Sequence, residues 1–186
     1  MSCFLKEELN MYSYCKQHAF TLFETLITLS IIAIIIMIAI PNFQHYRALQ
    51  EASQLLPLVR QHVNFAKNTA QIYHSNIVVC SSSTFDRCEI NQWHKGIIVF
   101  SDLNNNKNID KNETIHKYTQ TDLKFGSLKW NGGVTSPTMI TFQSDTGLPH
   151  GSPGGFYYCS FTNKDLHRYL PISRMGHTRI ETTTAC

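Results

Sequence analysis

Twelve residues, Asp102 to Glu113, place side-chain oxygens at almost every second position: Asp102, Asn104, Asn106, Asn108, Asp110 and, closing the run, Glu113. Loops of this spacing hold hard cations such as calcium, with an apolar residue after the turn (here Ile109) and an acid at the end. Two features depart from that pattern: Lys107 stands where the sharp turn calls for glycine, and the flanks read as strands rather than helices. The competing reading is a hairpin connection rich in Asn and Asp, side chains that bond their own backbone. Calcium is the one cofactor the sequence suggests.

A second group lies towards the C-terminus, where Lys164, Arg168, Arg174 and Arg179 outnumber Asp165 and Glu181, with His167 and His177 interspersed. Phosphate contacts need only positive charge on flexible donors, so Lys164, Arg168, Arg174, His177 and Arg179 form a candidate surface for double-stranded DNA. The alternative is the solvated edge of a sheet. The formal charge of the whole chain is only +3, from 16 Lys and Arg against 13 Asp and Glu, and by itself does not mark a nucleic-acid binder. Catalytic constellations are missing: there is no glycine-rich phosphate loop, no nucleophile elbow and no His pair at metal spacing, and the nine His are scattered singly. The expectation is a protein that is not an enzyme.

The third chemical feature is a single acid, Glu24, in the 21-residue apolar run from Phe20 to Ile40. At 1.5 Å per residue a helix of that length is about 30 Å long, enough to span a bilayer core. A carboxylate costs about 2.5–3.5 kcal/mol at the centre of such a helix and less near an interface, so Glu24 needs a partner. A secretory signal peptide would instead have a basic start, a shorter apolar region and a small-x-small cleavage site behind it. With 42% apolar and 16% charged residues, the remainder of the 186-residue chain can fold as one domain.

The string Ala19-Phe20-Thr21-Leu22-Phe23-Glu24, followed by the apolar run and Pro41, resembles the type III signal of type IV pilins and type II secretion pseudopilins. The resemblance implies that a prepilin peptidase removes residues 1–19 on the cytoplasmic side by cutting between Ala19 and Phe20. It also implies that Phe20 becomes N-methylphenylalanine, and that Glu24 pairs with the terminal amine of a neighbouring subunit during assembly. Opposite charges in a low-dielectric bundle attract strongly, and either alone is penalised. The residue before the cut is usually Gly in that family, and here it is Ala19. The leader is neutral, with Lys6 and Lys16 against Glu7 and Glu8, and a start at Met11 would leave the shorter basic leader MYSYCKQHA.

Further along, Trp93 to Asp102 (WHKGIIVFSD), the Asn/Asp-rich loop ending at Glu113 and the strand that follows resemble the minor-subunit branch that includes GspH, FimT and FimU. In FimT-like proteins a C-terminal Gly-Arg-x-Arg motif is associated with DNA binding. The corresponding place here is Gly176-His177-Thr178-Arg179, with His177 where the first Arg belongs and Arg174 nearby. The resemblance implies a minor subunit of a type IV pilus, in or at the tip of the filament, that supports pilus biogenesis and captures DNA for transformation. The alternative is a GspH-like pseudopilin of a type II secretion system. Implied partners are other pilins or pseudopilins through the N-terminal helix, the prepilin peptidase, the inner-membrane assembly platform and double-stranded DNA. The implied location is the inner membrane, crossed once with the β domain in the periplasm, and then a pilus or pseudopilus.

Six cysteines sit at 3, 15, 80, 88, 159 and 186, and removal of the leader leaves four. Four cysteines beyond a membrane anchor suit an oxidising compartment and can pair in three ways. Cys80 with Cys88 and Cys159 with Cys186 is the favoured set, since each pair closes a loop between candidate neighbouring strands. A metal site would want a CxxC or a nearby His pair, and neither is present.

Past Pro41, Leu49, Ala52, Leu56, Val59, Val63, Ala66 and Ala70 recur at three- and four-residue steps, which predicts one buried helical stripe. Pro57 falls inside it, where a proline interrupts and kinks a helix. His45, Phe65 and Tyr73 beside the stripe read as packing or subunit contacts. From Asn76 onward short β-like runs alternate with turn residues: 76–80, 96–100, 114–118, 127–130, 138–142, 155–161, 168–172 and 177–181. The expected fold is α+β and type IV pilin-like, a long N-terminal helix packed on a mostly antiparallel sheet domain. Its segments are a leader (1–19), a transmembrane or filament-core helix (20–40), an amphipathic helix (41–74) and a GspH/FimT-like β domain (75–186).

Overall fold

The structure, a computed structural model, describes residues 21–134, 136–151 and 154–186. Ala19, Phe20 and the leader therefore lie outside the described residues. The chain divides into two compact units, 1–41 and 42–186. Helix α1 (Leu22–Tyr73) begins in the first and ends in the second.

In the first unit Thr21 caps the helix: its Oγ1 accepts the Glu24 N–H at 3.3 Å, the Ser/Thr-x-x-Glu arrangement that satisfies an orphan donor of the first turn. The few hydroxyls in the apolar run turn inward on their own helix. Thr25 donates to the Leu22 carbonyl at 2.8 Å, Thr28 to Thr25 at 3.0 Å and Ser30 to Leu26 at 2.8 Å. That leaves α1 no unsatisfied polar side chain here except the Glu24 carboxylate, as an apolar solvent demands.

In the second unit α1 buries Ala48, Ala52, Leu55, Leu56, Val59, His62, Val63, Ala66, Thr69 and Ala70. Leu49, expected in this stripe, is 40% exposed, and Ala48 takes the inward position one residue earlier. Four of the ten buried residues of the stripe are alanine. The helix continues through Pro57 without a break.

Among the described residues, eight strands form two antiparallel sheets. The first has the order β3-β2-β1-β5, from β1 (Asn76–Ser81), β2 (Gly96–Asp102), β3 (Ile115–Gln120) and β5 (Ile140–Phe142). The second has the order β4-β6-β7-β8, from β4 (Gly126–Asn131), β6 (Gly155–Ser160), β7 (Arg168–Pro171) and β8 (Glu181–Thr182). Both sheets pack on α1. Ile77, Val79, Ile97 and Val99 of the first and Leu128, Trp130, Phe156, Tyr158 and Leu170 of the second share one core with the helical stripe and Trp93.

The other face of the first sheet is also covered. Val78, Cys80, Ile98 and Phe100 pack beneath Phe85, Cys88, Ile109, Ile115 and Met139. Burial on both faces is why β2 reads as a continuous apolar run instead of an alternating one. Cys80 is bonded to Cys88 within this second cluster, and Cys159 on β6 is bonded to Cys186.

One expected strand, 177–181, is not formed as such. The chain turns at Ser173 to Gly176, with Gly176 at a φ of 72°, and makes a single bridge between Ile172 and Thr178. Only Glu181 and Thr182 pair with β7. The expected start of β5 also moves in, from Thr138 to Ile140, where pairing with β1 begins.

Candidate functional site

Three places carry the chemistry expected of this chain, and two polar residues of α1, one half-buried and one buried, hold the framework. At the start of α1, Glu24 stands in the first helical turn, where the helix dipole favours an acid. The apolar side chains beside it are exposed, Leu22 at 79% and Phe23 at 72%, and so are those farther along, such as Met37 at 77%. Among the described residues, no cation pairs with the Glu24 carboxylate.

The loop between β2 and β3 closes on itself. Asp102 accepts the N–H groups of Asn106 at 3.1 Å and Lys107 at 3.0 Å, and Asp110 accepts the side-chain amides of Asn104 at 2.8 Å and Asn106 at 2.7 Å. Glu113 accepts the N–H of Leu103 at 2.9 Å and of Asp110 at 3.0 Å, which ties the two ends of the loop together. Lys107, at the turn position that calls for glycine, adopts a φ of 61°, and Asn105 does the same, so the sharp turn is made without glycine. The flanking elements are strands. Asn108 donates to the Asn106 carbonyl at 3.2 Å. Among the described residues no group of three or more His, Cys, Asp or Glu side chains is placed to hold a metal ion.

The basic residues of the C-terminal region fall into two places separated by β7. Arg174, His177 and Arg179 are exposed on the 172–178 turn and the stretch after it, and the Arg179 guanidinium is 4.0 Å from Glu181. An exposed pair at that distance holds little energy and leaves the cation available. Lys67 of α1 reaches the same turn, donating to the Met175 carbonyl at 3.1 Å, and adds a cation whose helical position gave no sign of it. Lys164 and Arg168 lie at the other end of β7. There Lys164 begins a single 3₁₀ turn (Lys164–Leu166), and Arg168 donates to the carbonyls of Asp165 at 2.6 Å and His167 at 2.9 Å. Arg168 is thus occupied in its own turn and Lys164 is exposed beside it, while Arg174, His177 and Arg179 are exposed at the other end of β7.

Glu51 is the first residue that sequence reading missed. It is half-buried on α1, and its carboxylate accepts the Lys124 N–H at 2.9 Å, the Phe125 N–H at 3.1 Å and the Tyr158 hydroxyl at 3.0 Å. One side chain therefore clamps the helix to the segment crossing from β3 to β4 and to the middle of β6. Burial, with the Glu51 charge adding to it, pushes the Tyr158 hydroxyl well above the ordinary tyrosine range. Gly126 next to this clamp leaves room for the Tyr158 ring, which a Cβ there would meet at 2.5 Å.

His62 is the second. It is fully buried in the helical stripe, with Nδ1 2.9 Å from the Leu58 carbonyl and Nε2 2.9 Å from the Thr119 hydroxyl. A carbonyl only accepts, so Nδ1 carries the proton and Nε2 of the neutral ring accepts from Thr119. Burial holds its pKa below the ordinary 6.5, against the Leu58 bond, which raises it, and with a smaller contribution from Lys117. His116 on β3 is lowered by burial too, 2.6 Å from the Ser101 hydroxyl. Glu51 is polar and its partners lie 73 to 107 positions away, so no local pattern marks it; His62 sits at stripe spacing from Val59 and Ala66, but its Thr119 partner is 57 positions away.

The family described as Type II transport protein GspH matches residues 58–176, and the Prokaryotic N-terminal methylation motif matches residues 14–40, the stretch containing Ala19, Phe20 and Glu24. The crystal structure of the type IV minor pilin FimU of Pseudomonas aeruginosa is similar, with a TM-score of 0.52 at 18% identity over 75% of this chain and 92% of that one. The minor pseudopilin EpsH of the Vibrio cholerae Type 2 Secretion System gives a TM-score of 0.48 at 12% identity, over 71% of this chain and 97% of that one. No curated protein sequence matches. At such identities the likeness to FimU speaks for the pilin fold.

Proposed function

This chain belongs to the GspH family of type II transport proteins, and from that premise we propose that it is an assembly subunit of a pilus-like filament. The observation that carries the reading is the first half of α1: an apolar helix whose large side chains are exposed, with one carboxylate in its first turn. Such a surface is stable in a bilayer or among copies of similar helices. In a bundle the Glu24 carboxylate, which pairs with no cation among the described residues, accepts a hydrogen bond from the methylated terminal amine of a neighbouring subunit. The N-terminal methylation motif supports the prior cut between Ala19 and Phe20 by a prepilin peptidase. The role is structural, with the β unit on the periplasmic side of the inner membrane until the helix is drawn into the filament by the assembly platform.

The finer reading is a minor subunit of a type IV pilus, in or at the tip of the filament, supporting its biogenesis and contributing to DNA capture. The exposed cations Arg174 and Arg179, with Lys67 beside them, support the DNA role. His177 adds a ring donor on the same exposed turn. A type II secretion pseudopilin is the second reading, favoured by the description under which the family matches. A deletion strain scored in parallel for surface pili, secreted enzyme and DNA uptake separates them. Loss of pili with normal secretion supports the pilus reading, and lost secretion with normal pili overturns it. An Arg174→Ala, Arg179→Ala double substitution is expected to abolish a duplex gel shift that wild type gives at low salt, and an unchanged shift refutes the DNA role.

A further inference from the structure

The β2–β3 loop contains an asparagine that the loop's own bonding does not use. Asn104, Asn106 and Asn108 spend their side chains on Asp110 and on loop backbone, and Asn105 accepts from Asn76. Asn112 is exposed on the turn before β3, and its side-chain amide makes no hydrogen bond among the described residues. It is followed by Glu113 and Thr114, which makes Asn112-Glu113-Thr114 the single Asn-x-Ser/Thr triplet in the whole sequence. Thr114 is exposed as well, and its hydroxyl is likewise unbonded. Between them Glu113 points the opposite way chemically, its carboxylate held by the N–H groups of Leu103 and Asp110. The middle residue thus anchors the turn while the two that define the triplet remain in solvent.

We propose that Asn112 is an acceptor for N-linked glycosylation, its glycan carried on the β2–β3 turn. The co-substrate is an oligosaccharide linked to a membrane lipid through pyrophosphate. The Asn112 Nδ2 forms a bond to C1 of the first sugar, the C1–oxygen bond to the pyrophosphate breaks, and the lipid pyrophosphate leaves with the proton lost from the amide. No oxidation or reduction is involved. The site asks for a compartment beyond the membrane, so this inference rests on the placement of the β unit proposed above. The Cys80–Cys88 and Cys159–Cys186 bridges give that placement a marker of their own, since they need an oxidising compartment. A glycan at Asn112 displaces nothing, because neither the amide nor the Thr114 hydroxyl holds the fold.

The test is intact-mass and peptide mass spectrometry of the full chain purified from its own host without reduction. The expected result is a mass raised by a glycan that maps to Asn112, persists in Thr114→Ser and disappears in both Asn112→Gln and Thr114→Val. An unmodified wild-type mass in a sample whose cysteines are bridged overturns the glycosylation while leaving the placement standing. An unmodified mass with free thiols overturns both. A glycan that survives in Asn112→Gln overturns the assignment to this residue.

Discussion

Glu51→Ala removes a single carboxylate from the surface of α1, yet the structure makes it one of the most costly polar substitutions in the chain. Three donors lose their acceptor: the Lys124 N–H, the Phe125 N–H and the Tyr158 hydroxyl. The Lys124 N–H is exposed and finds water. The other two are partly buried and lose bonds to a charged acceptor, each contributing about 1.5 kcal/mol at the lower end of the range for such bonds. The expected loss is about 3 kcal/mol, a substantial share of the 5–15 kcal/mol total typical of a folded domain. For a domain near 150 residues that corresponds to a fall in Tm of roughly 6–12 °C. Guanidinium unfolding in detergent, followed by the fluorescence of the buried Trp93 and Trp130, measures it. Glu51→Gln keeps the shape but turns an amide N–H towards backbone donors, and it falls between wild type and Glu51→Ala. Tyr158→Phe combined with Glu51→Ala costs less than the two separately, because the hydroxyl no longer needs an acceptor. An Ala variant within about 0.5 kcal/mol of wild type, the range of ordinary surface substitutions, refutes the clamp.

Stability also follows pH through His62. Its pKa is lower folded than the ordinary 6.5. The unfolded chain therefore binds the proton first, and the contribution is full above 6.5 and lost as pH falls through the folded value. Unfolding midpoints are expected to drop between pH 7.5 and 5.5, less steeply in His62→Gln, and an equal slope in both refutes the assignment. Loop-closure entropy ranks the two disulfides. The Cys159–Cys186 bridge, with 27 residues of separation, contributes about 3.5 kcal/mol, and Cys80–Cys88, with 8, about 2.5 kcal/mol. Paired serine substitutions followed by chemical unfolding check the order, and a larger loss from the Cys80–Cys88 pair contradicts it.

How far the sequence carries can be judged from particular residues. Ala52, Leu56, Val59, Val63, Ala66 and Ala70 are legible as a buried stripe because a helix facing one core repeats its apolar positions every three or four residues. The same periodicity places Leu49 inside, where the structure buries Ala48: positions 48 and 49 lie four and three residues before Ala52, so both satisfy the helical step and the pattern alone does not separate them. β2 is legible from its apolar run, but the reason for that run is a cover formed by Phe85, Cys88 and Ile109, which sit in segments that look polar in sequence. The stretch 177–181 has strand-like residues and too few partners, since β7 offers β8 only two paired positions. Glu51, and the pairing of His62 with Thr119, are invisible to local rules because those partners lie far along the chain, although the spacing of His62 from Val59 and Ala66 fits the buried stripe. The chemistry of the helix start, by contrast, is legible because spacing along one helix is itself the signal.

Sheared filaments and membranes from cells expressing wild-type protein or Glu24→Leu test the central claim, that this chain works by assembling through α1. Leucine makes the apolar run easier to insert and preserves the helix, so it isolates the carboxylate from membrane anchoring. Both proteins are expected in the membrane at equal levels, cleaved at the same site, with only wild type recovered from the filament fraction. Recovery of Glu24→Leu in filaments at the wild-type level, or absence of the wild-type chain from filaments altogether, contradicts the account.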